Sequence, residues 1–271
     1  MGTSQSKPSA KGGSPLVPSW ANQDPPPADG SAPLSQPPPQ TPPGAPPTPD
    51  LIQPRRHAGF RSSLKRFMAS GDSADARRAL GHYARGSAGG GAAGGARVAR
   101  SARVGGAVIS ALSNMVSGTN VAQNIFNLAT LAGRPVSDAV AAIVDAFCPP
   151  GIIDEDLLRA AMGEALTEAF DGLDNFDPSA VDDHAIVVAT RVFIAELVFN
   201  TISAEQGQAA ENVPPLQAVA RENQLRDMIR EVTDVTATPI IQAAGSALSA
   251  TQVSQMVQSI VTLVFEEMSG W

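Results

Sequence analysis

The sequence predicts an all-α fold, a multi-helix domain preceded by a long disordered region rich in Pro, Gly and Ser. Three observations carry this. Sixteen of the 23 prolines fall in residues 1–54, leaving seven for the rest of the chain. From about residue 105 apolar residues recur at helical spacing. No run alternates convincingly with period two, as a half-buried strand would. The expected division is a Pro-rich tail over 1–54, a basic helical segment and Gly/Arg-rich connector over 55–104, and an acidic all-α domain over 105–271. Six to eight helices are expected, rich in Ala and poor in aromatics.

The tail is read first. A Pro-rich, weakly apolar stretch buries too little surface to offset the entropy of ordering it. QDPPPADG and PLSQPPPQTPPGAPPTPD are its most polyproline-like parts. Next comes RRHAGFRSSLKRFMASGDSADARRALGHYARG, where Phe60, Leu64, Phe67 and Met68 share a helical face and Arg61, Lys65 and Arg66 lie elsewhere on the turns. SGDSADARRAL reads as a loop with Asp72 or Ser73 as N-cap, then a short helix. The plainer reading is a helical hairpin with solvated charges; the sharper one is an anion- or partner-binding surface that includes Lys65 and Arg66. GSAGGGAAGGARVARSARVGG is either a flexible connector or a place of very close backbone packing. Arg97, Arg100 and Arg103 recur every third residue, so a helix there aligns them for phosphate, RNA or an acidic protein. No aromatics are interleaved for base stacking. No Gly-Lys-Ser/Thr follows the glycines, so this is not a phosphate-binding P-loop.

The acidic part follows in order. GRPVSDAVAAIVDAFCPPG is one helix, with Pro135 near its first turn and Pro149–Pro150–Gly151 as its stop. In IIDEDLLRAAMGEALTEAF acids occupy the first turn, and Leu158, Met162, Ala165, Leu166, Ala169 and Phe170 form a stripe. DPSAVDDHAIVVATRVFIAELVFNTISAEQ is expected to start with Asp177 as cap and Pro178 at the first helical position. It is apolar on most sides, as a central buried helix is. VPPLQAVARENQLRDMIREVTD reads as a polar outer helix and TPIIQAAGSAL as a separate short one. Ser249 and Gln252 have capping-box spacing before the Val253, Met256, Val257, Ile260, Val261, Val264, Phe265 run.

Charge is split along the chain. Residues 1–110 carry 13 Lys+Arg and 5 Asp+Glu; residues 111–271 carry 6 and 21. Front and back can attract each other within one chain or between copies, or the front can meet a phosphate-rich or acidic partner. The single cysteine, Cys148, cannot form an intramolecular disulfide, which fits a reducing compartment. No secretory h-region is present, and AIVVATRVFIAELVF is interrupted by Arg191 and Glu196. A soluble, cytoplasmic protein that does not engage a membrane is expected.

The search for an enzyme site fails. His57, His82 and His184 have no ligand-spaced partners, and Cys148 reads as a small buried residue. Asp171, Asp174, Asp177, Asp182 and Asp183 miss EF-hand spacing and read as helix caps and first-turn acids. No catalytic residue, metal or cofactor is expected. Trp271, after Gly270, reads equally as a docking peptide or as a residue that packs back.

MGTSQSKPSAKGGSPLVPSW, with its Pro15, Leu16, Val17, Pro18, Ser19, Trp20 motif, resembles the N-terminus of the B component of the bacterial Qat anti-phage defence system. LKRFMASGDSADARRALGHYARGSAGG, followed by Arg97, Arg100 and Arg103, is similar to a second segment of that family. The resemblance implies partners: a P-loop ATPase, a relative of 7-cyano-7-deazaguanine synthase, and a TatD-like DNase. It also implies conjugation of a deazaguanine to the N-terminal glycine. Gly2 would be the modified residue, with Gly2, Thr3, Ser4 and Pro15, Leu16, Val17, Pro18, Trp20 recognised by the synthase-like enzyme. A slim N-terminus suits this, because an α-amine of pKa about 7.7–8.0 is partly neutral and nucleophilic near pH 7. The chain is then a substrate and an adaptor or scaffold. Three other readings use the same sequence: N-myristoylation, from Met-Gly-x-x-x-Ser with Ser6; a nucleic-acid- or phosphate-binding helical adaptor using Arg97, Arg100 and Arg103; and a plain structural subunit.

Overall fold

Residues Asp183–Ser203 form the most deeply buried helix of the fold. The computed structural model describes residues 57–86, 98, 104–114, 127–148, 155–245 and 249–271. The expectations for the tail over 1–54 and for the Gly-rich run lie largely outside them. The helices are α1 (Ala58–Ser70), α2 (Ser73–Gly86), α3 (Val104–Asn114), α4 (Val136–Phe147), α5 (Glu155–Ala169), α6 (Asp183–Ser203), α7 (Pro215–Ala244) and α8 (Ala250–Ser269). No strand occurs among the described residues; an isolated antiparallel bridge joins Pro135 and Asn175. The fold is all-α, as the apolar spacing predicts.

α6 is apolar on all sides because protein covers all sides. Fourteen of its residues are buried, from Ala185 to Ile202. It packs on α5, α7 and α8. By length and composition alone it would suit a membrane span, but here 72% of its apolar window is buried inside the fold. Its cap is Asp182, whose carboxylate accepts from the Ala185 N–H at 2.8 Å. The expected cap, Asp177, instead accepts from Ser179 N–H at 2.8 Å and opens a separate 3₁₀ turn over Pro178–Ala180. Proline at a first helical position suits either helix type, and two capping aspartates five residues apart cannot be ranked from sequence. The hydrogen bonds from Ser179 hold the Asp177 carboxyl below the usual carboxylate range.

α7 corrects a second expectation. The outer helix and the short TPIIQAAGSAL helix are one helix running through Pro239. A proline inside a helix removes one i→i−4 hydrogen bond. Pro239 and Val235, whose carbonyl loses that donor, both lie on the exposed flank, where the loss costs least. α8 opens with the expected capping box: the Gln252 N–H reaches Ser249 Oγ, and Ser249 N–H donates to Gln252 Oε1 at 3.0 Å. Its stripe at Val253, Val257, Ile260, Val261, Val264, Phe265 and Met268 is buried. The α5 stripe is buried likewise at Leu158, Met162, Ala165, Leu166 and Phe170.

The basic hairpin and the acidic helices share one hydrophobic core. α1 and α2 pack on each other, α2 packs on α8, and α1 touches α7. Phe60, Tyr83 and Phe265 carry this join, with ring centroids 5.1 Å apart for the first pair and 6.2 Å for the second. α3 is held by close backbone approach. A Cβ at Gly105 would lie 2.0 Å from Cε1 of Phe193 on α6, and one at Gly106 would lie 2.4 Å from Oγ of Ser254 on α8. Close packing, one of the two readings of the Gly-rich run, therefore holds at these two glycines.

A methyl at Gly105 has nowhere to go. Gly105→Ala is expected to destabilise by about 1–3 kcal/mol in urea unfolding, the usual cost of overpacking. Gly163→Ala in α5, where a Cβ meets nothing within 4 Å, is expected to stabilise by about 0.5–1 kcal/mol through helix propensity. Equal midpoints for the two variants would contradict the seating of α3.

Candidate functional site

Two charged regions stand out, one on the hairpin and one buried between α5, α6 and α7. The hairpin carries six Lys+Arg and two Asp over residues 57–86. Its geometry starts at Gly71, which ends α1 with φ 75 and lets the chain reverse into α2. Asp72 then caps α2, its Oδ1 accepting from the Ala74 N–H at 2.9 Å. The reversal brings Asp75 beside two arginines: Arg66 Nε at 3.2 Å and Arg78 Nη1 at 2.6 Å. Arg66 also donates to Ser63 Oγ at 2.9 Å. Arg61 reaches the turn after α6, with Nε donating to the Glu205 carbonyl at 3.0 Å and an ion pair to its carboxylate at 3.4 Å. Arg85 donates to the Ser269 and Trp271 backbone oxygens, and Arg77 lies 5.8 Å from the Trp271 ring centroid.

Every arginine of the hairpin thus has a partner in the fold. Lys65 is exposed and makes no ion pair among the described residues. Of the sequence-predicted anion-binding residues, Lys65 and Arg66 are brought together on α1. Arg97, Arg100 and Arg103 lie outside the described residues, as do Gly2, Thr3, Ser4, Pro15, Leu16, Val17, Pro18 and Trp20. Trp271 packs back against the core and α2, which decides the question its sequence left open.

The second region was not legible as a cluster. Glu196, in the middle of α6, is 2% exposed. A carboxylate so buried is strongly destabilising unless it is paired. Two arginines one helical turn apart on α7 supply the pairing: Arg226 Nε lies 3.3 Å and Arg230 Nη2 2.9 Å from its oxygens. Arg230 also reaches Glu168 at 3.0 Å and Glu164 at 3.4 Å on α5. Arg226 lies over the Phe199 ring, 4.5 Å from its centroid. Burial alone would lower the Arg230 pKa; the Glu196 hydrogen bond and the charges of Glu196, Glu168 and Glu164 outweigh it and hold the guanidinium charged. Further along, Arg191 Nε meets Asp234 Oδ1 at 2.9 Å, yet burial still pushes that carboxyl above its usual range. The network staples three helices by charge.

The residues weighed for chemistry are scattered. His57 stacks on Tyr83 at 5.1 Å, His82 lies against Gly59, and His184 is exposed in the first turn of α6. Cys148 is fully buried, and burial pushes its thiol pKa up. Among the described residues no group of three or more His, Cys, Asp and Glu could hold a metal ion.

Arg230→Met leaves a buried carboxylate with one partner and is expected to cost about 3 kcal/mol. Glu164→Gln, whose side chain is about half exposed, is expected to cost less than about 1 kcal/mol. Guanidinium unfolding of both variants checks this; similar costs would show that burial of Glu196 does not set the energetics.

Searches of the curated proteins and of the solved structures give no match. The family model for the Qat anti-phage system associated protein QatB matches residues 89–268. That stretch takes in α3 to α7, nearly all of α8, and the Arg97, Arg100, Arg103 run. The chain therefore belongs to the QatB family and is a component of an anti-phage defence system.

Proposed function

We propose that the chain is a cytoplasmic, non-enzymatic component of its defence system. In this reading Met1 is first removed by hydrolysis of the Met1–Gly2 bond, a partner related to 7-cyano-7-deazaguanine synthase joins a deazaguanine to the freed Gly2 amine, and the helical body serves as adaptor or scaffold. Membership of the QatB family carries the reading. The sequence supports the chemistry. Gly2 has no side chain to shield the amine, Thr3 and Ser4 after it are small, and the Pro15–Trp20 motif is the proposed recognition element. An enzyme that activates a carboxylate with ATP and captures it with ammonia can accept an unhindered α-amine in its place. The product is a stable amide, and the amine loses a proton as the activated carboxyl loses its leaving group. The P-loop ATPase and the TatD-like DNase are the proposed further partners of the body.

Nucleic-acid binding is the second reading. It rests on Arg97, Arg100 and Arg103, since the hairpin arginines are already engaged within the fold.

Intact and N-terminal peptide masses of the chain, co-expressed with and without the synthase-like partner, test the proposal. The expected result is a partner-dependent adduct on Gly2 that Gly2→Pro abolishes. An unmodified Gly2 beside a synthase shown to be active would overturn it.

A further inference from the structure

Among the described residues four large apolar side chains are exposed, and three of them, Leu216 (88%), Val219 (55%) and Val235 (75%), lie on α7. A single exposed apolar residue is ordinary, but three on one helix mark a surface. Val219, Asn223, Asp227, Glu231, Val235 and Pro239 recur every fourth residue and are all exposed. They form one ridge along the outer side of α7, about 24 Å long from Val219 to Val235. Leu216 widens its first end. The middle is acidic. Asp227 and Glu231 sit four apart, where like charges weaken a helix. Neither makes an ion pair among the described residues. The arginines of α7 are turned elsewhere: Arg226 and Arg230 to Glu196, Glu164 and Glu168, and Arg221 to Gln224. Pro239 adds an acceptor to the same ridge, because it has no N–H for the Val235 carbonyl.

We propose that this ridge docks a basic amphipathic helix of another protein. Two Arg or Lys side chains of that helix meet Asp227 and Glu231, and aliphatic side chains on either side of them cover Val219 and Val235. The chemistry excludes the other occupants. A two-fold contact between copies centred on the ridge sets Asp227 and Glu231 against the same pair, and like charges face to face are costly. The same two carboxylates repel the phosphates of a nucleic acid. This docking is independent of Gly2 and of any group joined to it.

The probe is a fluorescein-labelled peptide, Leu-Ala-Gln-Ala-Arg-Ala-Gln-Ala-Arg-Ala-Gln-Ala-Leu, held helical by a staple on the side away from its Leu and Arg residues. Its anisotropy with the full-length chain is expected to report a Kd below about 1 mM. Asp227→Lys with Glu231→Lys is expected to weaken binding about tenfold or more, and a peptide with Glu in place of both Arg is expected to bind that double variant in preference to the native chain. Val235→Ser is expected to weaken binding of the original peptide. All three positions are exposed, so urea midpoints are expected to stay close to that of the native chain. No binding up to about 1 mM, or binding indifferent to these substitutions, would overturn the proposal. So would a charge-swapped pair that fails to bind. Sedimentation showing a dimer that Val235→Ser dissociates would give the ridge to a second copy and overturn it equally.

Discussion

A single buried carboxylate sets the register of the body. α6 is covered on every side, and Glu196 sits at its centre with 2% exposure. An ion in that position must find cations in the same buried layer, and Arg226 and Arg230 are the two residues that provide them. They lie four apart on α7, so both face α6 only when α7 lies along it in one rotation and one register. Arg230 then spans to Glu164 and Glu168, which fixes α5 in turn. Apolar contacts alone would tolerate sliding of three helices so rich in Ala, Val and Leu; the charge network is directional and does not.

Close approach does the corresponding work elsewhere. Gly105 and Gly106 let α3 press on Phe193 and Ser254, and Gly81 lets the Trp271 backbone lie on α2. In both places a glycine inside a helix gives up backbone stability and gains a contact that any Cβ would forbid. The arginines of the hairpin are likewise spoken for within the fold, by Glu205, Asp75, Ser269 and Trp271. These contacts orient the guanidiniums, while the hairpin keeps an excess of six Lys+Arg over two Asp.

Much of the fold was legible because its signals are local. The all-round apolarity of α6, the stripes of α5 and α8, and the Ser249–Gln252 capping box are all properties of neighbouring residues. Partnership across the chain was not. Nothing near Glu196 announces Arg226 and Arg230, and nothing near Arg61 announces Glu205. The choice between Asp177 and Asp182 as cap depends on where a turn ends in space. The passage of α7 through Pro239 depends on which side of the helix faces solvent. The family was read from the N-terminal Met-Gly-Thr-Ser and Pro15–Trp20 motif together with the basic segment, whereas the family match begins at residue 89 and spans the helical body. Two largely separate parts of the chain thus point to one assignment. The candidate modification residue, Gly2, comes from that resemblance and from the small residues that follow it, and it lies outside the described residues.

The pairing of α2 with α8 has a consequence for the order in which the chain is made. α2 ends at Gly86 and α8 begins at Ala250, so the two halves of the Tyr83–Phe265 contact leave the ribosome far apart in time. Until α8 emerges, the apolar face of the α1–α2 hairpin lacks its natural cover. The hairpin is thus an early-made lid waiting for a late-made base, and the nascent chain is most exposed to aggregation and to chaperone capture in that interval.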